Sequence, residues 1–286
     1  MPTLQSTQGN HQTGDPPILN DQHFAQLATI IHDAFGIYLP HSKRELIPRR
    51  LSRRLTKLGL QDYGQYVKYI KSHWESEKQI LANAISTNLT SFFREPHHFE
   101  CLERQILPDL LQRNRTSKTV RIWSAGCSTG EEPYSIAMVV NRITQLKGWD
   151  VKILATDLDT DILSRAAAGE YGETELQRLP SAELRAHFTQ IQASPALYAI
   201  DDQLKHYVHF KRLNFFEAWP MTRQFDVIFC RNAIIYFDMA GQKRLMAGFA
   251  KAQRTGAWLV VGHSERLQDI TDDYSLVGRT VYQKTT

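Results

Sequence analysis

Cysteine is scarce and never paired at ligand spacing: Cys101, Cys127 and Cys230 lie far apart and form no CxxC. An odd count without such spacing excludes a disulfide framework and a cysteine-held zinc site; no metal is expected, and a reducing compartment fits. No apolar run approaches the roughly 20 residues that span a bilayer, so no direct membrane insertion is expected. Residues 1–15 are polar, rich in Gln, Thr and Gly, and hold no apolar stretch of the signal-peptide kind. Residues 1–20 are therefore expected to be a disordered leader on a cytoplasmic protein. Neither sign of charge dominates. The net charge of +4 is too small to demand a nucleic-acid partner, so the distribution of charge says more than its sum.

The chain has 286 residues, 42% of them hydrophobic, which allows one large domain and a smaller one. Residues 21–95 read as all-helical. Phe24, Leu27, Ile30, Ile31, Ala34 and Phe35 recur at helical spacing, with Asp21 placed to cap and Gly36 to stop that helix. A second helix runs from about Ser42 to Leu58 and ends at Gly59; Pro48 inside it requires a kink or a later start. Two more helices are expected at 62–74 and 76–86. From residue 96 the pattern changes. Strands at 120–124, 151–156, 225–230 and 258–261 alternate with helices at 134–146, 160–168 and 239–252, and residues 274–282 are again of β type. This predicts an α/β domain over 96–286, Rossmann-like, with a mostly parallel sheet. Residues 170–212 read as a small, partly β insertion.

The strongest local signal is VRIWSAGCSTGEEP, 120–133, where a strand enters a turn carrying Gly126 and Gly130 and then a helix. Such glycines let backbone approach a ligand or take positive φ, although a tight structural turn uses them equally well. The next strand, in VKILATDLD, places Asp157 just past its end. An acid there can accept both hydroxyl hydrogens of a ribose, or cap the following helix, which Asp159 or Thr160 could do instead. A dinucleotide site would prefer GxGxxG and a helix N-terminus facing pyrophosphate. Here Glu131 and Glu132 stand where that phosphate would lie. Two carboxylates would repel it and suit a cationic, donor-rich ligand such as S-adenosylmethionine.

Taken together, TNLTSFFRE (87–95), SAGCSTGEEPYS (124–135), ATDLD (155–159), LNFF (213–216), FCRNAIIYF (229–237) and VGHSE (261–265) resemble the CheR-type chemoreceptor methyltransferases. The likeness extends over essentially 21–283. It implies a helical N-terminal domain, a methyltransferase domain with a small inserted β-subdomain, and S-adenosylmethionine as cofactor, with S-adenosylhomocysteine as product. It implies that Asn88, Thr90 and Arg94 close over the cofactor and that Ala125 and Gly126 form its turn. Glu131 meets the methionine ammonium, Asp157 holds the ribose, Asn214 and Phe215 flank the adenine, and Arg231 and Asn232 complete the pocket. Arg94 and Tyr236 then lie near the transferred methyl and the incoming glutamate. His263 reads as a satisfied structural histidine.

The segment after the fourth strand, RNAIIYF, lacks the Asn/Asp-Pro-Pro-aromatic pattern of amine and base methyltransferases. Between 42 and 58 seven cations face only Glu45, and Arg49, Arg50, Arg53, Arg54 and Lys57 recur at helical spacing. One basic face suits an acidic partner surface, here the glutamate-rich cytoplasmic domain of methyl-accepting chemoreceptors. A nucleic-acid backbone would also suit it, but few aromatics interleave the cations. Some family members dock on a receptor-tail peptide through a Gly-containing loop. Residues 187–204 contain no glycine, so tail-independent action is expected, by a monomer.

Overall fold

The computed structural model describes residues 19–285. Most of the expected leader lies outside them, but its last two residues belong to the fold. Leu19 is buried, and the Asn20 side chain caps the first helix by accepting the His23 N–H at 2.8 Å. Asp21 sits in the first turn instead, because Asn20 is the residue with extended backbone.

The N-terminal part holds α1 (Asp21–Phe35), α2 (Leu46–Leu58), α3 (Tyr63–Ser72) and α4 (Trp74–Ile85). Pro48 is the third residue of α2, where its missing N–H costs nothing, so the later start replaces a kink. Leu27, Ile31, Ile47, Leu51, Leu55 and Leu81 lie wholly out of solvent in one core. Each contributes about 1.5–3 kcal/mol by burial. Glu77 is buried in the same core, its carboxylate gripped by Arg54 and by the Tyr66 hydroxyl.

The second part begins with α5 (Pro96–Cys101), a π-helical stretch (Leu102–Ile106) and α6 (Leu107–Arg113). Then come β1 (Thr119–Ala125), α7 (Glu131–Arg142), β2 (Asp150–Asp157) and α8 (Thr160–Ala168). A small unit follows with β3 (Glu170–Gly172), α9 (Glu173–Leu176), α10 (Ser181–His187), β4 (Phe188–Ala193), β5 (Ala196–Ile200) and α11 (Asp202–Lys205). The chain returns through β6 (Val208–Arg212), β7 (Phe225–Cys230), α12 (Met239–Ala252), β8 (Gln253–Val261), β9 (Tyr274–Gly278) and β10 (Val281–Lys284).

The central sheet has the order β6-β2-β1-β7-β8-β10-β9, parallel from β6 to β8, with β10 antiparallel to both its neighbours. Successive residues of β1 serve opposite faces. Val120 and Ile122 enter the core under α5–α7, whereas Trp123 and Ala125 enter the core under α12. The chain runs outward from β1 to β2 and β6, then restarts on the other side with β7 and β8. That reversal opens a crevice at the carboxyl ends of β1 and β7. The stretch expected as one insertion over 170–212 divides in two. Only β3, β4 and β5 form the small antiparallel sheet, while β6 pairs with β2 in the main one.

Helix α4 is stitched to the sheet domain. Gln79 donates to the Leu158 carbonyl at 2.9 Å, and Asn83 donates to the Thr160 hydroxyl at 3.0 Å. Lys78 and Arg212 both hold Glu217, at 2.6 and 3.0 Å. The connector after α1 is tied as well: Ile37 bridges Phe237, and the Tyr38 N–H donates to the Tyr236 carbonyl at 2.8 Å.

Candidate active site

A pocket opens where the two parts meet, over the carboxyl ends of β1, β2 and β7. Phe35, Ile37 and Ile85 wall it from the helical side. Segment 86–90 and Arg94 cover it; Gly126, Ser128, Glu132, Asp157 and Leu158 form its floor; Leu213–Phe215 and the loop after β7 close it.

The floor follows from local chain geometry. Gly126 takes φ 86° and Gly130 φ 96°, so the turn needs the left-handed conformation the sequence suggested. Asp159 caps α8, accepting the Asp161 and Ile162 N–H groups at 2.9 and 3.2 Å. That leaves Asp157 out of the capping role. It ends β2 and accepts N–H groups from Ser128 at 2.9 Å and Asp159 at 3.1 Å. Burial pushes its carboxyl above the ordinary range, and these backbone donors pull it partly back.

Asn88, Thr90, Arg94, Gly126, Asp157, Asn214, Phe215, Arg231, Asn232 and Tyr236 all line the pocket. Ala125 and Glu131 do not. Ala125 is packed in the core under α12. Glu131 is buried and accepts from the Thr129 hydroxyl at 2.6 Å. Residues 131 and 132 are the first two of α7, and Glu132 lines the pocket, accepting from Ser124 Oγ at 2.7 Å and from Arg231 Nη1 at 2.9 Å.

Arg231 is a buried keystone. Besides Glu132, it donates to the Arg94 carbonyl and lies 3.6 Å from the Glu95 carboxylate. Glu95 accepts from the His263 backbone and from its ring Nδ1, at 3.1 and 2.8 Å. Burial raises the Glu95 carboxyl, but the His263 hydrogen bond and Arg231 outweigh it and hold the group below its ordinary value. His263 is thus a structural partner, through a carboxylate the sequence did not single out. Glu95, His97 and His98 each bring a potential metal ligand within 4.8 Å of the others. Arg231 and the amino end of α5 both oppose a cation there.

Other residues are already committed. Asn88 donates to Asp159 at 2.8 Å, and its carbonyl accepts from the Ser128 hydroxyl at 3.1 Å. The Asn214 side chain donates to the Ala34 carbonyl at 2.8 Å, tying the floor to α1. Arg94 donates to the Leu89 carbonyl at 2.8 Å, which sets its guanidinium at the pocket wall. Six non-glycine residues have positive φ among those described; Phe93, Glu95, Ser128 and Asn232 are in or beside this site.

The pocket mouth is apolar and cationic. Leu89 is 80% exposed, and Tyr38 and Ile235 are also large exposed apolar side chains. Lys43 Nζ sits 5.9 Å from the Tyr236 ring centroid. The basic helix leads away from Lys43, and its cations split into two rows. Arg49, Arg53 and Lys57 are exposed. Arg50 instead donates to the Ala84 and Ser86 carbonyls and to Thr87, and Arg54 grips Glu77. Arg50 and Arg54 face α4, so the single basic face over five residues is a face of three.

Known proteins carry the same organisation. A family model described as CheR methyltransferase, all-alpha domain, matches residues 22–86; CheR methyltransferase, SAM binding domain, matches 88–283. The chain is 38% identical over 261 residues to a probable chemotaxis protein methyltransferase of Rhizobium etli, covering 90% of this chain and 97% of that protein. It is 37% identical over 267 residues to the chemotaxis protein methyltransferase of Salmonella typhimurium, covering 92% and 90%. Chemotaxis protein methyltransferase 2 of Pseudomonas aeruginosa is also 37% identical, over 266 residues, covering 91% and 92%. The chain therefore belongs to the CheR methyltransferase family and is an S-adenosylmethionine-dependent methyltransferase.

Proposed function

We propose that the pocket between the two domains holds S-adenosylmethionine and that the chain methylates glutamate side chains on the cytoplasmic domain of methyl-accepting chemoreceptors. The products are glutamate methyl esters and S-adenosylhomocysteine, and the output is chemotactic adaptation. The residues fit the cofactor. Asp157 offers a carboxylate to ribose hydroxyls, Glu132 offers one to the ammonium, and Phe215, Leu213 and Ile85 give the adenine apolar walls. When bound, the cofactor supplies a sulfonium methyl group open to in-line displacement.

The observation that carries the choice of acceptor is the absence of a free base among the described residues lining the pocket. No histidine or cysteine lines it, and its two acidic side chains, Glu132 and Asp157, are the ones assigned to the cofactor. An amine acceptor must lose a proton. A glutamate, with an ordinary pKa of about 4.3, already presents a carboxylate at neutral pH. The enzyme's work is then to position that carboxylate and strip part of its water. Arg94 orients it, and the Tyr236 hydroxyl donates one hydrogen bond to it. The apolar mouth at Leu89, Tyr38 and Ile235, with Lys43 and the exposed row Arg49, Arg53 and Lys57, suits an amphipathic, acidic helix. Residues 187–204 lack glycine, so the enzyme acts without docking on a receptor-tail peptide.

The test is methyl transfer to a purified receptor cytoplasmic fragment and to the same fragment with its acceptor glutamates changed to alanine. Label should enter the first and be lost from the second. Equal labelling of both would contradict the assignment.

A further inference from the structure

The motif VGHSE contains a buried carboxylate that the proposed chemistry does not use. Glu265 is 4% exposed and does not line the pocket. Its two oxygens accept four backbone N–H groups: Gly262 at 2.6 Å and Asn232 at 2.9 Å on Oε2, Ile234 at 2.8 Å and Ile235 at 3.3 Å on Oε1. Three of these donors belong to the loop after β7, the segment that carries Asn232 and Tyr236 into the pocket.

The loop is also tied at its far end, where Tyr38 donates to the Tyr236 carbonyl and Gln242 to the Phe237 carbonyl, but the N–H groups of its first turn are held by Glu265. It turns at once from β7 into a left-handed Asn232, φ 57°, then a short 3-10 turn, Ile234–Tyr236. A left-handed asparagine costs energy and persists only where its surroundings over-determine it. A carboxylate fixing the N–H groups on both sides of the turn supplies that restraint, at the strength of charge-assisted bonds in a buried site. The fit is close. A Cβ at Gly262 would come within 2.6 Å of the Asn232 side-chain nitrogen, 2.8 Å of Glu265 Oε2 and 2.9 Å of the Asn232 backbone nitrogen. Gly262 and Glu265 therefore work as one device.

We infer that Glu265 is a positioning residue for methyl transfer: its carboxylate folds the loop after β7 into the shape that brings Asn232 to the cofactor and Tyr236 to the acceptor. The inference rests on the pocket being the cofactor site, though not on the identity of the methyl acceptor. Its first readout is accordingly S-adenosylhomocysteine binding by calorimetry, which needs no receptor.

The experiment compares the full chain with Glu265→Gln and with Leu51→Ala, a helical-core change that lowers stability far from the loop. An amide at 265 turns an NH₂ toward N–H donors on one side and frees them from their acceptor. Glu265→Gln, assayed where it is folded, should bind S-adenosylhomocysteine about tenfold or more weakly and show a reduced kcat at saturating cofactor. Leu51→Ala should lower the unfolding midpoint and leave both constants within twofold. If Glu265→Gln does not fold, Gly262→Ala keeps the carboxylate, presses on Asn232, and should give the same selective loss. Cofactor affinity and kcat within twofold of wild type in the folded variant, or a loss no larger than that of Leu51→Ala, would overturn the inference. Weak binding to the wild-type chain itself, unaffected by Asp157→Ala, would instead refute the pocket assignment.

Discussion

Arg53 and Arg54 are neighbours on one basic helix, yet removing each should have opposite consequences. Glu77 has no solvent exposure, and Arg54 meets it with Nε at 2.9 Å and with Nη2, while Tyr66 donates at 2.7 Å. Arg54→Ala leaves a buried carboxylate with one neutral donor. Breaking a buried ion pair from one side costs about 3–5 kcal/mol. Arg53 is exposed, and its removal should change stability by no more than about 0.5 kcal/mol. With a urea slope of about 1–3 kcal/mol/M, Arg54→Ala should lower the midpoint by about 1 M or more, followed by circular dichroism. Replacing both partners, Arg54→Met with Glu77→Met, removes the stranded charge and should recover most of the loss. Receptor methylation should show the reverse order. Arg53→Glu raises the receptor KM, more so at low salt, whereas folded Arg54→Ala methylates normally. Equal stability of Arg53→Ala and Arg54→Ala would refute this division of the helix.

Asp157→Ala removes the acceptor assigned to both ribose hydroxyls. S-adenosylhomocysteine affinity should fall about a hundredfold or more by calorimetry, from two charge-assisted hydrogen bonds; a loss under threefold would remove Asp157 from the site. Glu217 joins the two parts of the fold. Hydrogen bonding from Arg212, then from Lys78, lowers its carboxyl from 4.5 to about 2. A depressed folded value stabilises the protein above the unfolded value of 4.5, and that contribution is lost as pH falls from 4.5 toward 2. The melting-temperature gap between wild type and Glu217→Gln should therefore be present at pH 7 and shrink through that window; a gap that widens on acidification would contradict it.

The elements with strong punctuation were the most legible in the sequence. Strand 225–230 and helices 160–168 and 239–252 match the structure residue for residue, because a mostly apolar run or the caps Asp159 and Asp238 define them. Strand β6 was harder to assign. Its residues are largely exposed at the sheet edge, so they read like the small unit before them. Rows on a helix were harder still. Spacing of four groups Arg49 with Arg53 and Arg50 with Arg54, but only the tertiary position of Glu77 tells which row is spent. The same ambiguity separates Glu131 from Glu132. Phe35, Ile37 and Ile85 reach the pocket from distant sequence and carry no local sign of it. Glu95 and Glu265 were visible inside motifs, but their roles come from backbone donors that sequence does not display.

The most direct test of the central claim is the chemistry of the transferred group. Chemoreceptor membranes are incubated with the enzyme and S-adenosylmethionine labelled in its methyl group, and the product is then treated with alkali. Carboxyl methyl esters release volatile labelled methanol, and the account predicts that essentially all incorporated label leaves this way. Label that stays on the protein through base would mean a nitrogen or carbon acceptor, and would contradict glutamate methylation.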